Sequence, residues 1–239
     1  GRGFVVNRIL MAYMSAGIRL AMRGVDINAI ESAALAFGMR MGPIRLYDEV
    51  GLDVALQCGW SLSADSDTLV ARTPSVVRLI KAKHLGRKAG RGFFIHEAAD
   101  GSEQVGDVNP KALQLIESEI ESRVDLSPAE IQAAITLPMV IEATKLLEIE
   151  RAHSPGQVDL AVMCGFGFAP SRGGPLYWAD QVGAARIVAA LKSLEHVGPH
   201  LCPTQLLLDT AKHGGRFYDR NNRGGEPTAD SSSDVRKMS

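Results

Sequence analysis

Asn7, Lys88 and Cys164 carry the side chains in this sequence whose types and settings invite chemistry. Asn7 places a polar amide beside an apolar helical stripe, so it must find hydrogen-bond partners or face a cleft. Read from its neighbours alone, an asparagine exposed in a first helical turn is the plainer alternative. Lys88 stands in Gly86-Arg87-Lys88-Ala89-Gly90, within a stretch from Arg78 to Arg91 that holds six basic residues, His84 and no acid. By composition alone, such a basic run reads as a solvated face. Cys58, Cys164 and Cys202 are odd in number, with no CxxC and no histidine at metal-ligand spacing, so neither a disulfide frame nor a zinc site is indicated and no metal is expected. Free thiols fit a reducing cytoplasm, and Cys164 reads as a buried small hydrophobe.

Other polar residues look architectural. Asp48 and Asp180 follow Gly42-Pro43 and Gly174-Pro175, where they are expected to cap or pair in a turn that leads into a helix. The six histidines show no motif pairing with a carboxylate, so none is a convincing general base. Gly86, Gly90 and Gly92 lack the strand-turn-helix setting of a phosphate-cradling loop. They are read as giving Phe93 and Phe94 a tight approach to the core.

The elements that must position these residues read as helices. Val6, Ile9, Leu10, Tyr13, Gly17, Leu20 and Ala21 recur at i+3 and i+4, the spacing of a core-facing stripe, and Gly24 ends it. Asp26 is expected to cap a second helix through Ile30, Ala33, Ala34 and Phe37, closed by Gly38. Thr73-Pro74, Ser127-Pro128 and Ser154-Pro155 each set a capping oxygen before a first-turn proline, and the last two predict capping boxes with Glu130 and Gln157. With no sustained period-two pattern, the class is all-α.

The chain also repeats itself. Phe37-Gly38, Gly42-Pro43 and Tyr47-Asp48-Glu49-Val50-Gly51 are answered by Phe166-Gly167, Gly174-Pro175 and Ala179-Asp180-Gln181-Val182-Gly183. Farther on, Lys88-Ala89-Gly90-Arg91-Gly92-Phe93-Phe94 is echoed by Lys212-His213-Gly214-Gly215-Arg216-Phe217-Tyr218. The order is kept, with three extra residues between the glycines of the second copy, which predicts duplication. Between the copies, Ala98 to Asn109 clusters Gly, Asp, Glu and Asn without apolar period. After Asp219 the sequence is too polar to offset its ordering entropy and reads as a disordered tail.

The bulk properties set limits. At 239 residues, 46% of them hydrophobic, the chain can bury one sizeable core or two small ones. Its formal charge of −1 gives no overall electrostatic case for nucleic acid or a membrane surface. Gly3 to Met22 is interrupted by Asn7, Arg8, Ser15 and Arg19, too polar for a membrane span, and no signal-peptide pattern precedes it. The opening directly on a buried-helix pattern suggests a piece of something longer.

Gly3-Phe4-Val5-Val6-Asn7-Arg8-Ile9-Leu10, Met41-Gly42-Pro43 with Asp48-Glu49-Val50-Gly51-Leu52-Asp53, and Gly86 to Phe94 together resemble the C-terminal domain of 3-hydroxyacyl-CoA dehydrogenases. The second copy, with Gly165-Phe166-Gly167-Phe168-Ala169-Pro170 and Arg172-Gly173-Gly174-Pro175, is similar to the end of the bacterial fatty-acid oxidation multienzyme. The likeness runs from about Gly3 to Asp219. It implies an all-α, duplicated helical domain of the 6-phosphogluconate-dehydrogenase C-terminal type, packed as an internal pseudo-dimer. The expected division is residues 1–97 for the first copy, 98–126 for a linker and connecting helix, 127–219 for a second, degenerate copy and 220–239 for the tail.

The resemblance also assigns roles. Asn7 would face the active site near the substrate's 3-hydroxyl, bind substrate and help hold the hydroxyl for hydride transfer. Lys88 would reach NAD bound by a neighbouring domain. Cys164 stands where the family usually has a tyrosine that contacts substrate, which makes it a substrate-binding candidate beside its reading as a small hydrophobe. The second copy has Ala133-Ala134 where the first has Asn7-Arg8, so it is expected to be structural.

In this family the dinucleotide-binding unit and a His-Glu dyad lie on the N-terminal side of the Asn7 helix. The chain alone is therefore expected to lack turnover. In the whole protein the implied reaction is oxidation of an (S)-3-hydroxyacyl-CoA with reduction of NAD, in β-oxidation. The implied partners are that substrate and the N-terminal nucleotide-binding domain, with a thiolase subunit left open and an upstream enoyl-CoA hydratase domain common in such multienzymes. Two other readings compete: a non-catalytic acyl-CoA-binding or oligomerisation module, and a different hydroxy-acid dehydrogenase. Met41-Gly42-Pro43 and the Gly86 to Phe93 motif argue against the latter.

Overall fold

A computed structural model of the chain describes residues 5–63, 71, 74–96 and 106–219. The predicted cap at Thr73, most of the polar break after Ala98 and the tail after Asp219 lie outside them. The described residues are helical and contain no strand, only isolated bridges such as Arg91 with Ile95. The fold is all-α.

Two long helices, α1 (Val5–Met22) and α7 (Pro128–Glu148), pack along each other and form the spine. The sequence predicts a one-sided stripe on α1. In the structure Met11, Ala12, Met14, Ser15, Ala16 and Ile18 are buried as well. The reason is position: α1 meets α7 on one side and α2 (Ile27–Phe37), α3 (Pro43–Val50), α4 (Leu52–Ser63), α6 (Pro110–Glu117) and α8 (Pro155–Phe166) around the rest. A helix apolar nearly all round belongs at the centre of a bundle. Gly17 makes one of these approaches possible, since a Cβ there would lie 2.5 Å from Pro43 Cγ.

The local signals act where they are written. Asp26 accepts from Ala29 N, and Gly38, at φ 106°, ends α2 in the left-handed conformation. Ser127 and Glu130 form the full capping box at the start of α7. Ser154 is a partial exception. Its side chain accepts from Gln157 N, but the Gln157 side chain accepts from His153 N, one residue beyond the reciprocal bond.

One arrangement of carboxylates occurs twice. Glu31 on α2 accepts from Ile44 N and Arg45 N in the first turn of α3, and Asp159 on α8 accepts from Leu176 N and Tyr177 N in the first turn of α9 (Pro175–Val182). An acid at a helix start satisfies otherwise orphaned N–H groups and offsets the helix dipole. Asp48, near the end of α3, accepts from Phe93 N and Phe94 N, and Asp180, near the end of α9, accepts from Phe217 N and Tyr218 N. Gly51 (φ 93°, ψ 129°) turns the chain from α3 into α4, and Gly183 (φ 91°, ψ 128°) turns it from α9 into α10 (Ala184–Ser193).

The remaining helices close the two ends. α11 (Gln205–His213) packs on α10, and α5 (Pro74–Lys81) on α4 and α6. Arg78 of the basic stretch comes within 3.9 Å of Glu119 beyond α6. An aromatic cluster joins the halves: Phe37 lies edge-on to Phe168 and Trp178, with ring centroids 5.8 and 5.0 Å away. No described helix is long and apolar enough to cross a membrane.

Candidate functional site

The first turn of α1 presents Asn7 and hides its neighbour. Asn7 is exposed, whereas Arg8 is buried and donates from Nε to Glu142 Oε1 on α7 at 2.5 Å. Glu142 is itself buried; burial pushes its carboxyl pKa up and Arg8 pulls it down. A buried guanidinium requires such a partner, because an unpaired charge in the interior costs several kcal/mol (about 3–5).

The opposite flank of this turn is closed by α8. A Cβ on Gly165 would fall 2.5 Å from Val6 Cγ1, so only glycine allows the end of α8 to sit this close. Nearly two turns farther along, Tyr13 stacks on Phe166 with centroids 6.5 Å apart and donates its hydroxyl to Met41 O. The structure thus brings the segment that contains Cys164 beside the turn that contains Asn7.

Cys164 itself corrects an expectation. It is exposed, not buried. α8 buries Pro155, Val158, Asp159 and Val162, a stripe at helical spacing, and Cys164 lies two residues past the last of these, about 200° round the helix and so on the outer side.

Lys88 belongs to another group of contacts. It lies in a single helical turn, Arg87–Ala89, and its Nζ donates to Asp53 Oδ1 and Oδ2 at 2.6 and 2.8 Å across the α3–α4 junction. Both side chains are substantially exposed, and the ammonium holds the Asp53 carboxyl below its ordinary range. Arg87 similarly reaches Glu49 at 3.2 Å.

Sequence reading found no histidine paired with a carboxylate, and the structure corrects this. His96 Nε2 lies 2.8 Å from Asp48 Oδ2. Asp48 is fully enclosed and already holds the Phe93 and Phe94 amides, so the group pins the loop against α3 and has no room to act on a substrate. Burial raises the Asp48 pKa while those amides and His96 lower it. The glycines of this motif fit the expected close approach: a Cβ on Gly92 would meet Asp48 Oδ1 at 2.1 Å. The signal that could have revealed the clamp was the repeated order of an aspartate followed by a paired-aromatic motif in both copies.

Residues 3–96 match the family model of the 3-hydroxyacyl-CoA dehydrogenase C-terminal domain, the segment that holds Asn7, Lys88 and the Asp48 clamp. That segment belongs to this family. The chain is 30% identical over 219 residues to the fatty acid oxidation complex subunit alpha of Shewanella halifaxensis, and 33% identical over 218 residues to that of Vibrio vulnificus. Each alignment covers 91% of this chain but 30% of the relative, so the chain spans less than a third of those proteins.

Among solved structures it is similar in fold to 3-hydroxybutyryl-CoA dehydrogenase from Escherichia coli K12, with a TM-score of 0.67, 21% identity and coverage of 89% of this chain and 60% of the other. The dehydrogenase part of multifunctional enzyme 1 from C. elegans gives a TM-score of 0.62, 23% identity and coverage of 88% and 48%.

Proposed function

We propose that the chain is the substrate-side helical portion of an NAD-dependent (S)-3-hydroxyacyl-CoA dehydrogenase of fatty-acid β-oxidation, which oxidises the 3-hydroxyl of the acyl-CoA to a ketone. The observation that carries this is the setting of Asn7. Within a family-matched segment, its amide is exposed on a turn that is clamped from both sides by Arg8–Glu142 and Val6–Gly165. A scaffold has no need to fix an exposed amide so firmly.

In this reading the Asn7 amide donates to the substrate oxygen as it passes from hydroxyl to ketone, holding the carbon–hydrogen bond in line for transfer. Cys164, exposed on the neighbouring helix one residue before Gly165, takes a substrate-contact role on the family resemblance. NAD, when bound by a nucleotide-binding domain, supplies the hydride acceptor. The residue here that fits it is Lys88. Its pair with Asp53 is solvent-exposed and therefore weak, so the ammonium can turn to a phosphate at little cost. No described residues form a dinucleotide-binding βαβ unit.

The paired carboxylates of the two halves, and the matching turns at Gly51 and Gly183, favour reading residues 1–97 and 127–219 as two copies of one unit, with α6 in the connection between. The second copy is structural in this reading. The chain alone is inactive, and the whole protein works in the cytoplasm.

The test is Asn7→Ala in the full-length protein that contains this chain, assayed for NAD reduction by a 3-hydroxyacyl-CoA. A fall in kcat/KM of about 100-fold with an unchanged circular dichroism spectrum is expected. Wild-type turnover in the variant would leave this domain a non-catalytic binding or assembly module.

A further inference from the structure

We infer that Glu142 is a positioning residue for Asn7: its ion pair with Arg8 fixes the rotation of α1 about its own axis, and with it the direction in which the Asn7 amide leaves the helix. The inference rests on the role of Asn7 proposed above and gives the second copy a task in the same reaction.

Successive residues on a helix point about 100° apart, so locking one sets the azimuth of the next. Arg8 and Glu142 have side chains only 1% and 5% exposed and meet through one directed contact, 134 residues apart in the chain. An apolar pair of similar volume would stabilise the packing as well or better, because both charges have had to leave water. The directed geometry of a guanidinium on a carboxylate is what the ion pair adds, since it holds α1 against turning in a way that interchangeable aliphatic contacts do not.

The second restraint comes from the same half of the chain. Gly165 of α8 lies against Val6, where an added Cβ would fall 2.5 Å from Val6 Cγ1. Val6 and Arg8 flank Asn7 in sequence, and both are held by residues beyond position 127. Having Ala133-Ala134 in place of an Asn-Arg pair, that half supplies a carboxylate and a glycine that orient the amide of the other half.

A double-mutant cycle in the full-length protein tests this with Asn7→Ala, Glu142→Gln and their combination, reading kcat and KM separately. Glu142→Gln should lower kcat about 10-fold or more while both KM values stay within about 2-fold, as small displacements of a positioning group do. Added to Asn7→Ala it should cost nothing further, because the amide it aims is already gone.

Losses that multiply, or a wild-type kcat in Glu142→Gln, would overturn the positioning role while leaving Asn7 in place. A wild-type kcat in Asn7→Ala would remove the active-site reading and the inference with it. Should Glu142→Gln not fold, Gly165→Ala at the exposed end of α8 displaces Val6 instead. It should show the same loss and the same non-additivity with Asn7→Ala, and a multiplicative loss there would equally overturn the proposal.

Discussion

Two buried groups should tilt the stability of this chain in opposite directions as pH changes. Burial holds the Glu31 carboxyl at about 7 against an ordinary 4.5, with the Ile44 and Arg45 amides and the Arg45 charge opposing and Asp48 reinforcing the shift. Between those values the folded chain keeps a proton that the unfolded chain releases. Acidification through that window therefore favours folding, by ~1.4 kcal/mol per pH unit or about 3 kcal/mol in all.

His200 does the reverse. Burial, with Arg19 and Arg23 alongside, pushes its imidazole down to about 3 from 6.5, and neither ring nitrogen has a hydrogen-bond partner. The unfolded chain then takes up a proton that the folded chain refuses, so stability is present above 6.5 and lost as pH falls toward 3 at the same ~1.4 kcal/mol per unit. In the shared window, 4.5 to 6.5, the two contributions nearly cancel.

Glu31→Gln and His200→Asn separate them. For a chain of this size 1 kcal/mol moves Tm by about 2–4 °C, so each variant's Tm difference from wild type should change by roughly 3–6 °C per pH unit, with opposite signs. Thermal unfolding followed by circular dichroism between pH 4.5 and 7 reads this directly. Difference curves that are flat, or that tilt the same way, would refute the assignment of these two groups.

The Asp48 clamp should matter more than its counterpart. Asp48→Ala strands the buried Phe93 and Phe94 amides and should cost about 2–5 kcal/mol, whereas Asp180→Ala, at a partly exposed site, should cost roughly half as much; equal Tm losses in the two variants would contradict the difference in burial. In the full-length protein, Lys88→Ala should raise KM for NAD several-fold with kcat little changed. Asp53→Ala should leave that KM within about 2-fold, because the exposed pair is weak, and a wild-type KM for NAD in Lys88→Ala would remove Lys88 from the cofactor site. The isolated chain should show no NAD reduction with any 3-hydroxyacyl-CoA, and turnover above background would contradict the division of labour proposed for it.

Much of the architecture is local and could be read from the residues in order. The Asp26 and Ser127 caps, the left-handed stop at Gly38 and the all-α class depend on interactions within four residues, which sequence spacing describes directly. Even there, Gln157 reached past Ser154 to His153, since a long side chain has more than one amide within range.

The sequence by itself determined the helices, the repeated glycine-proline and paired-aromatic motifs, and Asn7 and Lys88 as the residues to examine. Only the tertiary structure decided that Arg8 is the buried member of its pair and Asn7 the exposed one, that Cys164 faces outward, and that His96 closes on Asp48. Each of those outcomes depends on what a distant helix places opposite the residue: Glu142 is 134 positions from Arg8, and His96 is 48 from Asp48. Residue type states which groups need a partner when buried, but burial is a property of packing, and the partner is whatever the packed helices bring within reach.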